Sequence, residues 1–337
     1  MRPSFHPRLV NSPLDDPGLV VGFSFENRSL MFDAGDTAPL SSRELLKVSH
    51  LFISHTHMDH FIGFDRILRL FLGRPAKLHV FGPAGFLANL EGKLAAYTWN
   101  LVSTYTGKLT LGATEVRADR TLTRHYDCRS RFRPDHAPKE APFTGVLLEE
   151  PGLTVTAAIL DHGDIPCLAF CLTERFHVNI RKTALESMGL SVGPWLADFK
   201  QALFEGRPPD TPIEVPMADD RPPDRYLLGE LSDRIAHTSP GQKIAYVVDA
   251  DYTPANEAAI VAMAQTCDHL FIEAAFLDRD ADQAAAKHHL TAHQAGTIAR
   301  KARAGGLTVC HFSPRYADQP HLLTEEALVA FRGDSPL

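Results

Sequence analysis

The chain is predicted to fold as a layered α/β protein. Three observations say so. Apolar runs of strand length alternate with helical spacing in the first third, the alternation returns in the last third, and a β-rich middle separates them. Leu19–Phe25 and Leu30–Phe32 read as paired strands around the turn Glu26–Arg28, and Asp33-Ala-Gly-Asp36 breaks the pattern. Ser41–Leu46 reads as a short helix with Ser41 or Ser42 as its cap and Glu44 in its first turn. His50–Ser54 is a short apolar strand, Ile62–Leu72 has helical spacing, and Leu78–Phe81 is a strand ended by Gly82-Pro83, with a helix after it to Tyr97.

In the middle, Gly145–Glu149, Leu153–Leu160 and Cys167–Leu172 have strand length. Helical pieces follow at Thr183–Met188 and Trp195–Leu203, and Arg207–Arg225 is rich enough in Pro and Asp to read as a loop. In the last third Ile244–Val248, His269–Ile272 and Leu307–Cys310 read as buried strands, and Pro254–Gln265 and Thr291–Ala304 as helices.

Composition narrows the class. With 337 residues the chain is long enough for a core without disulfide or metal staples. The five cysteines, Cys128, Cys167, Cys171, Cys267 and Cys310, form no CxxC and read as reduced and buried. No apolar run reaches the ~18 residues that a membrane crossing needs, and the start MRPSFHPRLVN lacks a signal-peptide core, so the cytoplasm is the expected address. Lys and Arg number 34 against 41 Asp and Glu, which argues against a surface coated in positive charge. Histidine is the outlier, with 17 copies, and it is the commonest metal ligand.

Four of those candidate ligand residues fall within six positions, in Ser54-His55-Thr-His57-Met-Asp59-His60. They sit where a buried strand ends and a helix begins. His55 and His57, two apart, can reach one metal; Asp59 and His60, on the next turn, can reach a second. A single zinc takes about four ligands, so this density suggests a two-metal site. More distant candidates stand at the carboxyl ends of later strands, where α/β folds place their sites: His162, Asp251 and His311.

Together these residues resemble the metallo-β-lactamase superfamily and, within it, the ribonuclease Z branch. Ser54–His60 is similar to the branch signature and Asp33-x-Gly35 to the superfamily's early aspartate loop. Leu160-Asp-His162 with Pro166 resembles its third metal motif, Val247–Pro254 the strand and loop carrying a bridging aspartate, and His311-Phe-Ser-x-Arg-Tyr316 its final ligand motif. His289-Leu-Thr-Ala292 resembles the His-Ser-Thr segment, whose histidine is catalytic, and Gly193-Pro194 the Gly-Pro element of a transfer-RNA-binding arm. The resemblance spans Leu30 to Tyr316. It departs at Ile272-Glu273-Ala274-Ala275, where the family has His-Glu-Ala-Thr, at Ala250-Asp251-Tyr252, where it has Gly-Asp-Thr, and at Asn11–Gly18, where it has a glycine-rich loop.

The resemblance implies a four-layer αββα sandwich: one hydrolase domain over residues 1–337, with an inserted helical arm and Pro-rich loop at 174–225. It implies one Zn²⁺ on His55, His57 and His162, another on Asp59, His60 and His311, and Asp251 and a hydroxide bridging them; Mn²⁺ or Fe suits the same ligands. Asp59 would orient or deprotonate the attacking water, His289 would protonate the leaving group, Glu273 would orient His289, and Asp33 would hold the His55–His60 loop. His288 is the rival to His289. The implied activity is phosphodiester hydrolysis, with precursor transfer RNA cut on the 3′ side by a cytoplasmic homodimer. A hydrolase of a small phosphodiester, sulfate ester or other ester is the alternative, and a non-catalytic nucleic-acid-binding relative a third reading.

A nucleic-acid surface has one further candidate. Arg117–Lys139 holds seven basic residues and three acidic ones (Asp119, Asp127, Asp135), with His125, Tyr126 and Phe132 interleaved as stacking platforms. The 174–207 arm is nearly neutral, and Trp195 within it reads as a packing anchor.

Overall fold

The computed structural model describes residues 3–134, 136–216 and 223–333. Asp135 of the basic stretch and residues 217–222 of the expected Pro-rich loop lie outside the described residues. The chain forms two compact units. The larger takes in Phe5–Leu147, Thr156–Cys171 and the described residues from Lys243 on; the smaller is built mainly from Leu148–Val155 and Leu172–Gln242.

The first sheet has eight strands in chain order: Phe5–Leu9, Leu19–Phe23, Ser29–Phe32, Val48–Phe52, Ala76–Gly82, Leu109–Val116, Arg120–Asp127 and Lys139–Pro142. The four central strands run parallel, and the outer ones are antiparallel. Parallel neighbours need crossovers, and the amphipathic helix Phe64–Phe71 supplies one. It buries Phe64, Ile67, Leu68 and Phe71, the spacing of one helical face, in a core shared with Leu51, Leu78 and Leu111. The short helix before it starts as expected: Ser41 and Glu44 form a reciprocal cap around Ser42–Leu45.

The second sheet is ordered Leu307–Cys310, His269–Glu273, Lys243–Val247, Ile165–Glu174, Leu153–His162, Val146–Glu150. Its helices Pro254–Ala264, Ala292–Lys301 and His321–Arg332 pack in a separate core with Val247, Leu270, Ile272 and Val309. Between the sheets, Phe32 and Phe52 of the first meet Phe170 of the second, with ring centroids 5.5 and 5.7 Å apart. The larger unit is therefore the helix–sheet–sheet–helix sandwich that the resemblance implied. Among the described residues no helix is long and apolar enough to cross a membrane.

One strand pair goes unread in the sequence, and one reading is corrected. Leu109–Val116 and Arg120–Asp127 form an antiparallel pair that the apolar pattern did not announce, because the second strand alternates with Arg, Thr and His. Within Arg207–Arg225, Pro212–Val215 pairs antiparallel with Asp224–Leu227. Proline and aspartate masked the alternation that buries Ile213 and Val215. That hairpin shares the smaller unit's own core with Leu185, Trp195, Phe199 and Leu231. Trp195 is buried there and its Nε1–H donates to the Ser191 carbonyl, so it packs.

Candidate metal centre

The site is assembled at the carboxyl ends of strands from both sheets. Val48–Phe52 is buried and parallel to both neighbours, so its end is fixed by two ladders. Beyond it, Ser54–His60 wraps against the Asp33–Gly35 loop: Ala34 N–H donates to the His60 carbonyl and Gly63 N–H to the Ala34 carbonyl, both at 2.8 Å. The contact is so close that a Cβ on Gly35 would strike the Asp59 carbonyl, and one on Gly63 the Gly35 carbonyl. Both positions require glycine for space.

Asp33 is fully buried and is the hub of this wrap. Its carboxylate accepts the Ser54 N–H (2.7 Å), the Ser54 hydroxyl (2.9 Å), the Tyr246 hydroxyl (3.1 Å) and the His60 Nδ1–H (2.9 Å). Because the carboxylate only accepts, His60 carries its proton on Nδ1 and turns Nε2 inward.

Three groups of ligand atoms converge, each group within 4.8 Å: His55, His57, His162 and Asp249; Asp59, His60 and His311; and Asp249, Glu273, His289 and His311. Asp249 joins the groups. Its Oδ2 lies 3.2 Å from His55 Nε2 and 2.9 Å from His60 Nε2, and its Oδ1 lies 3.5 Å from His311 Nε2. His162 fixes its ring by donating Nδ1–H to the His288 carbonyl at 2.9 Å. His289 lies between the groups, its ring 5.4 Å from both His162 and His311.

Asp251, the carboxylate expected to bridge, is not among the converging ligand atoms. Its Oδ1 accepts the His288 Nδ1–H and its Oδ2 the Gly163 N–H, each at 2.9 Å. Asp249 stands among the converging atoms instead, in a left-handed backbone conformation (φ 51°) two residues past the end of the buried strand Lys243–Val247. The sequence held a signal: Asp33 is likewise the first polar residue after its strand, and it too is left-handed (φ 56°). Glu273 follows the same logic at the end of His269–Glu273, where one oxygen accepts the Ala250 N–H at 2.7 Å and the other the His289 Nδ1–H at 2.8 Å.

Burial and close pairing perturb these groups strongly and in opposite directions. Burial drives the His55 imidazole down to about 2, helped by the neighbouring His60 charge. Burial opposes charge on His60 as well, but Asp249 and Asp33 outweigh it and hold the group well above its ordinary value. For Asp249, burial disfavours the carboxylate while His311 and His60 overcome it, pushing the group well below the usual range. His289 is raised to about 9, with Glu273 and Asp249 overriding its burial.

A metal fits here on the evidence of the polar atoms themselves. His55 Nε2, His60 Nε2 and Asp249 Oδ1 are buried and make no hydrogen bond. Buried ring nitrogens and carboxylate oxygens are costly when unpaired, and three of them at one centre suit a metal ion as partner.

Two of the three expected stacking platforms are also corrected, while His125 is exposed. Phe132 is a core residue against Trp99, and Tyr126 is buried with its hydroxyl on Glu91. Arg117 and Arg124 pair with Glu115 and Glu91, and Arg129 donates to the Thr106 carbonyl. Arg131, Arg133 and Lys139 remain exposed.

No family model matches the chain. It is 33% identical over 294 residues to a ribonuclease Z of Deinococcus radiodurans, covering 86% of this chain and 83% of that protein. It is 28% identical over 321 residues to a ribonuclease Z of Bacteroides fragilis, covering 91% and 86%. Among solved structures, the short form of human tRNase Z superposes with a TM-score of 0.52 at 17% identity, covering 93% of each chain. The metallo-β-lactamase fold protein YhfI of Bacillus subtilis gives 0.50 at 18% identity, covering 95% of this chain and 87% of that one.

Proposed function

Because the chain belongs to the ribonuclease Z family of metal-dependent hydrolases, we propose that it cleaves precursor transfer RNA on the 3′ side, using two divalent cations. The observation that carries this reading is Asp249, whose carboxylate reaches imidazoles of both ligand groups beside orphaned, buried ring nitrogens. His55, His57, His162 and Asp249 would hold one cation; Asp59, His60, His311 and Asp249 the other. Zn²⁺ is the first choice for so many imidazoles. When bound, such cations polarise phosphoryl oxygens and make water a nucleophile near neutral pH.

The chain's own groups supply the rest. Asp59 keeps its carboxylate partly open to solvent while one oxygen faces His311 at 3.3 Å, so it can orient the attacking water and take its proton. His289, locked by Glu273 at Nδ1, keeps Nε2 for the leaving 3′ oxygen, to which it gives a proton. A homodimer in the cytoplasm accompanies the reading on the resemblance alone, and sedimentation tests the dimer.

The deciding experiment offers metal-loaded protein precursor transfer RNA with a 3′ trailer beside bis-p-nitrophenyl phosphate. Cleavage of the RNA to a free 3′ hydroxyl, abolished by chelator and falling steeply with salt, is expected. Turnover of the small ester alone would replace this reading with that of a small-ester hydrolase.

A further inference from the structure

We propose that Asp251 and His288 form a clip that positions the metal ligand His162; the inference rests on the reading of His162 as a ligand. The His162 ring is oriented by one bond, from its Nδ1–H to the carbonyl of His288. That carbonyl belongs to an exposed residue in a left-handed conformation (φ 62°), just beyond the short helix Ala281–Ala286. Nothing about such a position is rigid by itself, because a non-glycine residue is disfavoured there.

Asp251 supplies the rigidity. One oxygen takes the His288 Nδ1–H and the other takes the N–H of Gly163, the residue after His162. A single carboxylate therefore ties the turn that bears the ligand to the residue whose carbonyl orients it. Gly163, itself left-handed (φ 61°), leaves the space that the His288 ring fills. Asp251 is held in turn: its N–H donates to the Asp161 carbonyl at 2.9 Å, and Asn256 Nδ2 donates to the Asp251 carbonyl at 2.9 Å. The clip gives a role to both residues that the metal groups leave out.

Titration of the metal-free chain with Co²⁺, followed by its visible absorption, tests this. Asp251→Ala and His288→Gly are expected to bind one of the two ions about 10–100-fold more weakly and to shift its band, the range typical of partners that orient a ligand. His288→Gly keeps the left-handed backbone and removes only the ring. His288→Asn tolerates the same backbone and restores a donor to Asp251, so it is expected to recover most of the affinity and the spectrum. Wild-type affinity and spectrum in His288→Gly would overturn the clip, as would His288→Asn behaving no better than His288→Gly. Should Asp251→Ala fail to fold, the two His288 variants decide. A wild-type chain that binds no Co²⁺, or His162→Ala binding both ions with the wild-type spectrum, would overturn the metal-centre reading itself.

Discussion

The Nδ1–H of His289 donates to Oε2 of Glu273 at 2.8 Å, while Oε1 of the same carboxylate accepts the Ala250 N–H at 2.7 Å. Glu273 is fully buried, so this one side chain ties the catalytic candidate to the backbone immediately after Asp249.

Replacing His289 with alanine should therefore leave metal content unchanged and lower turnover of precursor transfer RNA at least about 100-fold, the usual worth of a positioned acid. Glu273→Gln should fall between wild type and that variant. Elemental analysis beside single-turnover rates checks both; a fully active His289→Ala would remove the residue from the mechanism.

Asp249 and Asp251 should separate cleanly. Asp249→Ala deletes the carboxylate that faces both imidazole groups and should lose the pair of bound cations along with activity. Two tightly bound ions in that variant, measured by isothermal titration, would disprove the bridging assignment.

Gly63→Ala should destabilise the protein by about 2 kcal/mol or more, because the added methyl meets the Gly35 and Ala34 carbonyl oxygens and the Thr37 methyl. Urea denaturation of the metal-free chain reads this directly. An unchanged midpoint would show that the two loops are not packed as described.

His79 carries a pH dependence away from the metal centre. Burial, aided by His50 and His125, lowers its imidazole from 6.5 to about 4, so the folded state resists a proton that the unfolded chain accepts. Stability should then fall as pH drops from 6.5 to 4, by at most about 3 kcal/mol from this group. Phenylalanine at this position keeps the stack on Phe81, and Thr114 retains its bond to Thr123. The His79→Phe variant should lose less stability over that window than wild type; parallel curves would refute the assignment.

Legibility followed distance along the chain. His55, His57, Asp59 and His60 could be read together because a strand end and one turn of helix bring them close, whatever the rest of the fold does. His162 and His311 could be read as strand ends, since each stands at the end of an apolar run, whereas Glu273 rests on the resemblance. The choice between Asp249 and Asp251 is harder, because both follow the same strand Lys243–Val247 and only their order after it separates them. The left-handed turn at Asp249 and the hold of His288 and Gly163 on the Asp251 carboxylate made the choice. The basic stretch is legible only in part: seven positive charges are visible in sequence, but Arg124 is paired by Glu91, 33 residues away, and Arg117 by Glu115 just outside the stretch, while Arg131, Arg133 and Lys139 stay exposed.

The sequence by itself determined the layered α/β class, the family and the metal-binding loop, because each depends on periodicity or on residues a few positions apart. Only the tertiary structure decided which aspartate stands at the centre, that Tyr126 and Phe132 are core, and that hydrogen bonds link Asp251 to His288 and His288 to His162. Those depend on which backbone groups and charges the two sheets bring face to face, and Coulomb and hydrogen-bond energies act over ångströms of space, not over positions in the chain.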